Sequence, residues 1–161
     1  MAAPRSLDQR LADTRARLEN DIDLWIASAH DDQPWLVPIS FVWWEGEIWI
    51  ASMGGARTQR NLVASPVVRL ALGELRDVVI VDGRAEVEPM AQTPKKVLEI
   101  YAAKQGGDPS SWADSLIRVR PTKVQAWREE NELEDRHLMR NGRWLDEDGD
   151  EDGDEDGSDG S

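Results

Sequence analysis

Residues 52–60 read Ser-Met-Gly-Gly-Ala-Arg-Thr-Gln-Arg, and their types and spacing suit one kind of chemistry. Two adjacent glycines let a ligand approach the backbone closely. A helix starting just after them presents unpaired N–H groups and the positive end of its dipole, which favours a phosphate. Arg57 can grip an anion with two parallel bonds, Arg60 adds a second cation, and Ser52 and Thr58 add hydroxyl donors. A plain turn followed by a helix with a solvated basic face uses the same residue types, so both readings stay open on these residues alone.

The elements around this segment would have to position it. Trp35–Trp44 and Glu47–Met53 are two alternating apolar runs that meet at Trp44-Glu45-Gly46 and predict a hairpin. Trp35, Val37, Ile39, Phe41 and Trp43 share one face of the first run; Leu36, Pro38, Ser40, Val42 and Trp44 share the other. Both faces are largely apolar, which predicts that both are covered. Pro38 places that run at an edge or an interruption. Residues 56–64 read as a short helix, and Val67–Leu72 as the next strand.

Toward the N-terminus, Ser6-Leu7-Asp8-Gln9 has the form of a capping box before an amphipathic helix over 7–19, and Asp23–His30 reads as a strand. Toward the C-terminus, Asp77–Glu88 and Ser115–Arg128 read as strands. The apolar phase of the latter slips across Pro121, which predicts a bulge. Thr93-Pro94 reads as a capped helix start and Gly106-Gly107 as its end. Asn141-Gly142 is a hairpin signal. The pattern describes a mostly β, antiparallel, six- to seven-stranded barrel with flanking helices.

Composition narrows the function classes. The chain has 161 residues and no cysteine, which excludes disulfides, thiolate catalysis and Cys-ligated metal. Its net charge of −13 is concentrated in residues 146–161, which hold ten acids and no base; the rest has 22 acids against 19 bases. That near-neutral body gives no support for a nucleic-acid surface. No apolar run reaches the roughly 20 residues needed to cross a bilayer, and no signal-peptide core is evident, so the expectation is a cytoplasmic protein off the membrane. Residues 1–145 are expected to form one domain and 146–161 a disordered acidic tail. Asp148-x-Asp150-x-Asp152-Gly153 matches the opening of a calcium loop, but the twelfth position is Asp159 and the flanks are not helical, so no metal site is expected.

No side-chain constellation looks catalytic. His30 lies in a polar turn and His137 near a charged loop, and both read as exposed histidines. Trp25, Trp35, Trp43, Trp44 and Trp49 read first as core and interface mass.

The ordered set LVPISFVWWEGEIWIAS, ARTQRNLVASPVVRLAL, Val79-x3-Gly83-Arg84-Ala85-Glu86 and Arg118-Val119-Arg120-Pro121-x2-Val124-Gln125-Ala126-Trp127-Arg128 resembles the core of the pyridoxamine 5′-phosphate oxidase-like split barrels that bind FMN. Their flavin and deazaflavin oxidoreductases are especially similar. The resemblance implies a homodimer with cofactor sites at the interface and a small-molecule substrate. The cofactor would be FMN, or alternatively the deazaflavin coenzyme F-420. Backbone of Pro38, Ile39, Ser40 and Phe41 would line the ring, with Ala51 and Ser52 beside it. Arg57 matches the family's phosphate arginine, and Trp127 lies on the late strand that would approach the partner's site. Thr58 stands where many relatives carry lysine, and Val78 where the oxidase proper carries a flavin-contacting glutamine. Residues 127–133 lack the oxidase's substrate signature, which argues against vitamin B6 oxidation. A non-catalytic flavin or haem store of the same fold is the competing class.

Overall fold

A computed structural model describes residues 1–147. Its elements are α1 (Leu7–Asn20), β1 (Asp23–His30), β2 (Gln33–Ser40), β3 (Val42–Trp44), β4 (Glu47–Ser52), α2 (Arg57–Ala64), β5 (Val67–Glu74), β6 (Asp77–Pro89), α3 (Lys95–Gln105), β7 (Ser115–Trp127), β8 (His137–Arg140) and β9 (Arg143–Trp144). All nine strands pair antiparallel in the order β2-β1-β5-β6-β7-β4-β3, with β8 and β9 carried off β7. The sheet curls into a half-barrel flanked by helices.

The strand expected over 35–44 is two strands. Phe41, fully buried, separates β2 from β3 and donates its N–H to the Ile22 carbonyl. The chain there leaves one edge of the sheet for the other, since β2 and β3 end opposite sides of the strand order. Covering of both faces of β2 is not seen among the described residues: Leu36 is 59% exposed and Trp25, on the neighbouring strand, 49%.

Local chemistry explains most boundaries. Ser6 caps α1 by accepting the Gln9 N–H. The Gln9 amide bonds Asp13 rather than returning to the cap, so only half of the capping box forms. Thr93 does not cap α3; its hydroxyl donates to the Pro89 carbonyl, and Pro94 takes the cap position. Glu45 and Gly46 turn with positive φ, as do Asn141 and Gly142, matching the right-handed twist of the hairpins they join. The phase slip near Pro121 is a bulge: Asp82 pairs with Lys123 and Gly83 with Pro121, leaving Thr122 over. At Gly83 a β-carbon would stand 2.7 Å from the Arg120 carbonyl oxygen, so only glycine lets the strands close there.

The core joins Leu11 and Leu18 of α1 to the inner faces of β1, β4, β5, β6 and β7. A smaller cluster packs α3 through Val97 and Tyr101 against Val42, Trp49 and Leu116. The boundary expected after residue 145 falls just before Asp146, which pairs with Arg15 at 2.7 Å. Residues 148–161, with the acidic-tail and calcium-loop readings placed on them, lie outside the described residues.

Candidate functional site

A cavity of about 630 Å³ opens where β2 diverges from β4, within the range of small-molecule sites. Trp35, Val37, Pro38, Ile39 and Ser40 of β2 form one wall. Ala51 and Ser52, at the end of β4, form the floor. Ala56, Arg57 and Thr58 bring in the start of α2, while Tyr101 and Trp112 close the side facing α3. Asp23 stands at the rim and accepts from the Ser40 hydroxyl at 2.6 Å.

The start of α2 is electrostatically open. Ala56 precedes it and offers no capping side chain, and no acid lies in its first turn. Its first N–H groups therefore meet no capping side chain among the described residues, and the positive end of the helix dipole lies at the cavity wall. The Arg57 guanidinium stacks over the Trp35 ring, 4.5 Å from its centroid. It has no carboxylate partner among the described residues. Stacking fixes its plane and leaves its donors free. Thr58 is buried at the cavity wall.

Of the residues expected at a cofactor, Pro38, Ile39, Ser40, Ala51, Ser52, Arg57 and Thr58 line this one cavity. Phe41, Arg60 and Trp127 do not. The Phe41 ring is in the core beneath Lys104, whose ammonium lies 4.0 Å from its centroid. Arg60 turns back and donates to the Gly55 carbonyl. Trp127 sits at the end of β7 opposite Val78. The glycine pair also behaves differently from the expectation. Gly54 donates its N–H to Asp114 at 3.0 Å, and a β-carbon there would meet that carboxylate at 2.4 Å, so Gly54 accommodates an acid of its own chain.

Trp35, Tyr101 and Trp112 are the aromatic residues among the cavity lining that the sequence does not place at a cofactor. Trp35 fits a strand periodicity and Tyr101 a helical one, while Trp112 lies in a turn, and only the tertiary fold brings the three to one open space. Burial and the nearby Asp23 carboxylate hold the Tyr101 phenol above its ordinary value, so it stays a protonated donor at neutral pH. Neither histidine lines the cavity. A second cleft, of about 120 Å³, lies between Glu47, Arg84, Glu86, Arg118 and Arg120. It is too small for a planar heterocycle, and its Arg118 is committed to Glu47 and Glu88. Among the described residues no group of acids and histidines is placed to hold a metal. No helix there is long and apolar enough to cross a membrane.

The model of the pyridoxamine 5′-phosphate oxidase family matches residues 12–128, more than half of the chain. The chain belongs to that family. Among solved structures it is similar to an F420 reductase, at 23% identity and a TM-score of 0.57, over 68% of this chain and 94% of that one. A FAD-binding protein from Mesorhizobium loti gives 21% and 0.59, over 76% and 94% of the two chains. A conserved hypothetical protein from Mycobacterium tuberculosis gives 18% and 0.61, over 81% and 90%. At these identities the likeness is one of fold. No curated protein matches the sequence.

Proposed function

We propose that the chain is an oxidoreductase that binds FMN, or alternatively the deazaflavin coenzyme F-420, and acts on a small organic substrate other than a B6 vitamer. The observation that carries this reading is the unpaired Arg57 beside the uncapped start of α2, at the mouth of a cavity walled by β2. Arg57, Thr58 and the first N–H groups of α2 would hold the phosphate, and the apolar wall of Trp35 to Ile39 would take the ring. When bound, the flavin or deazaflavin supplies two-electron redox chemistry. The chain's own part is to bind, orient and shield it, with the Tyr101 hydroxyl as a donor at the opposite wall.

The same reading makes the protein a homodimer. On the outer face of the sheet Pro38, Trp25, Ala71 and Ile80 form one cross-strand row, with the exposed Leu36 and Val67 nearby. Pro38 belongs to both this row and the cavity, so a second copy seated on the row would border the ring site. Leu36→Glu should convert a dimer to a monomer in sedimentation and weaken cofactor binding; a monomeric parent chain would overturn the dimer.

Titration of the chain with FMN and with F-420, followed by tryptophan fluorescence, tests the cofactor. Trp35 and Trp112 line the site, so saturable quenching by one of the two is expected. Quenching by neither would sink the proposal. The cavity holds no histidine, which also suits a flavin store; reduction of the bound cofactor by a nicotinamide donor separates the enzyme from the store.

A further inference from the structure

A third cavity, of about 420 Å³, lies on another part of the molecule, between the start of α1 and β8. Ser6 and Leu7 bring the first turn of α1 to it, and Arg10, His137 and Arg140 line it. Arg5 lies there too, but its charge is already met by Glu132 and Asp13.

Arg10 is the unusual member. It is 5% exposed. Its Nη1 donates to the Asp135 carbonyl, its Nε is buried without a partner, and it forms no ion pair among the described residues. A guanidinium keeps its charge at any accessible pH, so burying one without a counter-anion is costly. Three further features point the same way. The Nδ1 of His137 is also buried without a partner among the described residues. Arg140 stands exposed and pairs with no carboxylate among the described residues. At α1, Ser6 occupies only the N–H groups of Gln9 and Arg10, leaving those of Leu7 and Asp8 unmet among the described residues. The acids at the rim, Glu134 and Asp135, are exposed and make no ion pair with Arg10 or Arg140.

We propose that this cavity is a second anion-binding site, taking a phosphate or carboxylate group independently of the flavin-type cavity. Two sources carry that chemistry. One is a free anion in solution. The other is the chain itself: Leu145 lines the cavity, and eight of the fourteen residues after Glu147 are acids.

The chain has two histidines, so a histidine-labelled sample gives two imidazole signals by NMR. Inorganic phosphate is titrated at constant pH and ionic strength into the full chain and into a chain ending at Glu147. Every described helix and strand is retained in the shorter chain. A saturable shift of the His137 signal with His30 unmoved, in both chains alike, supports the site with a free anion as its occupant. The same shift confined to the shorter chain supports the site with the chain's own acids as occupant. Arg10→Gln should abolish the shift. Should that variant fail to fold, Arg140→Gln, at an exposed position, should weaken phosphate binding at least about threefold with the fold intact. A His137 signal that stays still in both chains, or that drifts linearly as a general salt effect, overturns the site. So does undiminished binding by both Arg140→Gln and a folded Arg10→Gln.

Discussion

Arg5 donates to Glu132 from its backbone N–H, Nε and Nη2 at 2.8–3.0 Å, and to Asp13 from Nη1. Glu132, 4% exposed, also accepts the Arg128 N–H at 2.8 Å. Arg57 stacks on Trp35 in the open and forms no salt bridge within the described residues. The first region satisfies every charge it buries and leaves nothing for a ligand. The second leaves a cation, a helix start and an apolar wall all facing the same space. Similar residue types are thus met by the chain itself in one place and left open to a cavity in the other.

The largest effect should come from breaking the closed region. Glu132→Ala leaves the backbone N–H, Nε and Nη2 of Arg5 and the Arg128 N–H without their acceptor, with only Asp13 and Asp77 still beside the guanidinium, and should cost about 3–5 kcal/mol, read as a fall in the denaturation midpoint. Cofactor binding per folded molecule should not change. The same carboxylate sets an acid limb. The Arg5 guanidinium holds it at about 2, against an ordinary value of 4.5. A depressed folded value stabilises fully above the ordinary value and loses that contribution as pH falls toward 2. Stability should therefore decline from about pH 5 downward, and Glu132→Gln should flatten that part of the profile.

Opening the comparison from the other side, Arg57→Ala should weaken cofactor binding by about 1.5–3 kcal/mol, the worth of a hydrogen bond to a charged group. Stability should stay within about 0.5 kcal/mol, as for other surface changes. Unchanged affinity would remove Arg57 from the phosphate site. Trp35→Leu keeps the apolar wall but removes the ring under Arg57, and should cost about 0.5–1 kcal/mol of affinity, the range of an exposed cation–π pair. The smallest effect belongs to Arg69→Ala. Its pair with Asp82 lies on an exposed face, and the midpoint should move by no more than about 1 kcal/mol.

Local features were readable from the sequence because local rules set them. The turns at Glu45-Gly46 and Asn141-Gly142 follow from residue type, and the Thr122 bulge from a slip in apolar phase. The helix start that carries Arg57 and Thr58 was readable because such a start leaves its own signature. Gly54 was misleading. Its lack of a side chain serves Asp114, sixty residues away, and nothing local marks that contact. Trp25 and Trp35 share a composition with the core, and only the edge position of β2 and its divergence from β4 put one on an outer face and the other in a cavity. The Arg5–Glu132 pair spans 127 positions and has no periodicity to betray it.

That span has a consequence for the order in which the protein is assembled during synthesis. Helix α1 leaves the ribosome before the strands it packs on, yet several tethers of the helix and its lead-in arrive late: Glu132 for Arg5, the Asp135 carbonyl for Arg10, and Trp144 and Asp146 for Arg15. Fourteen residues make a marginal helix on their own in water. Made before the sheet, α1 should therefore be among the last elements to settle, closing over strands that are already paired.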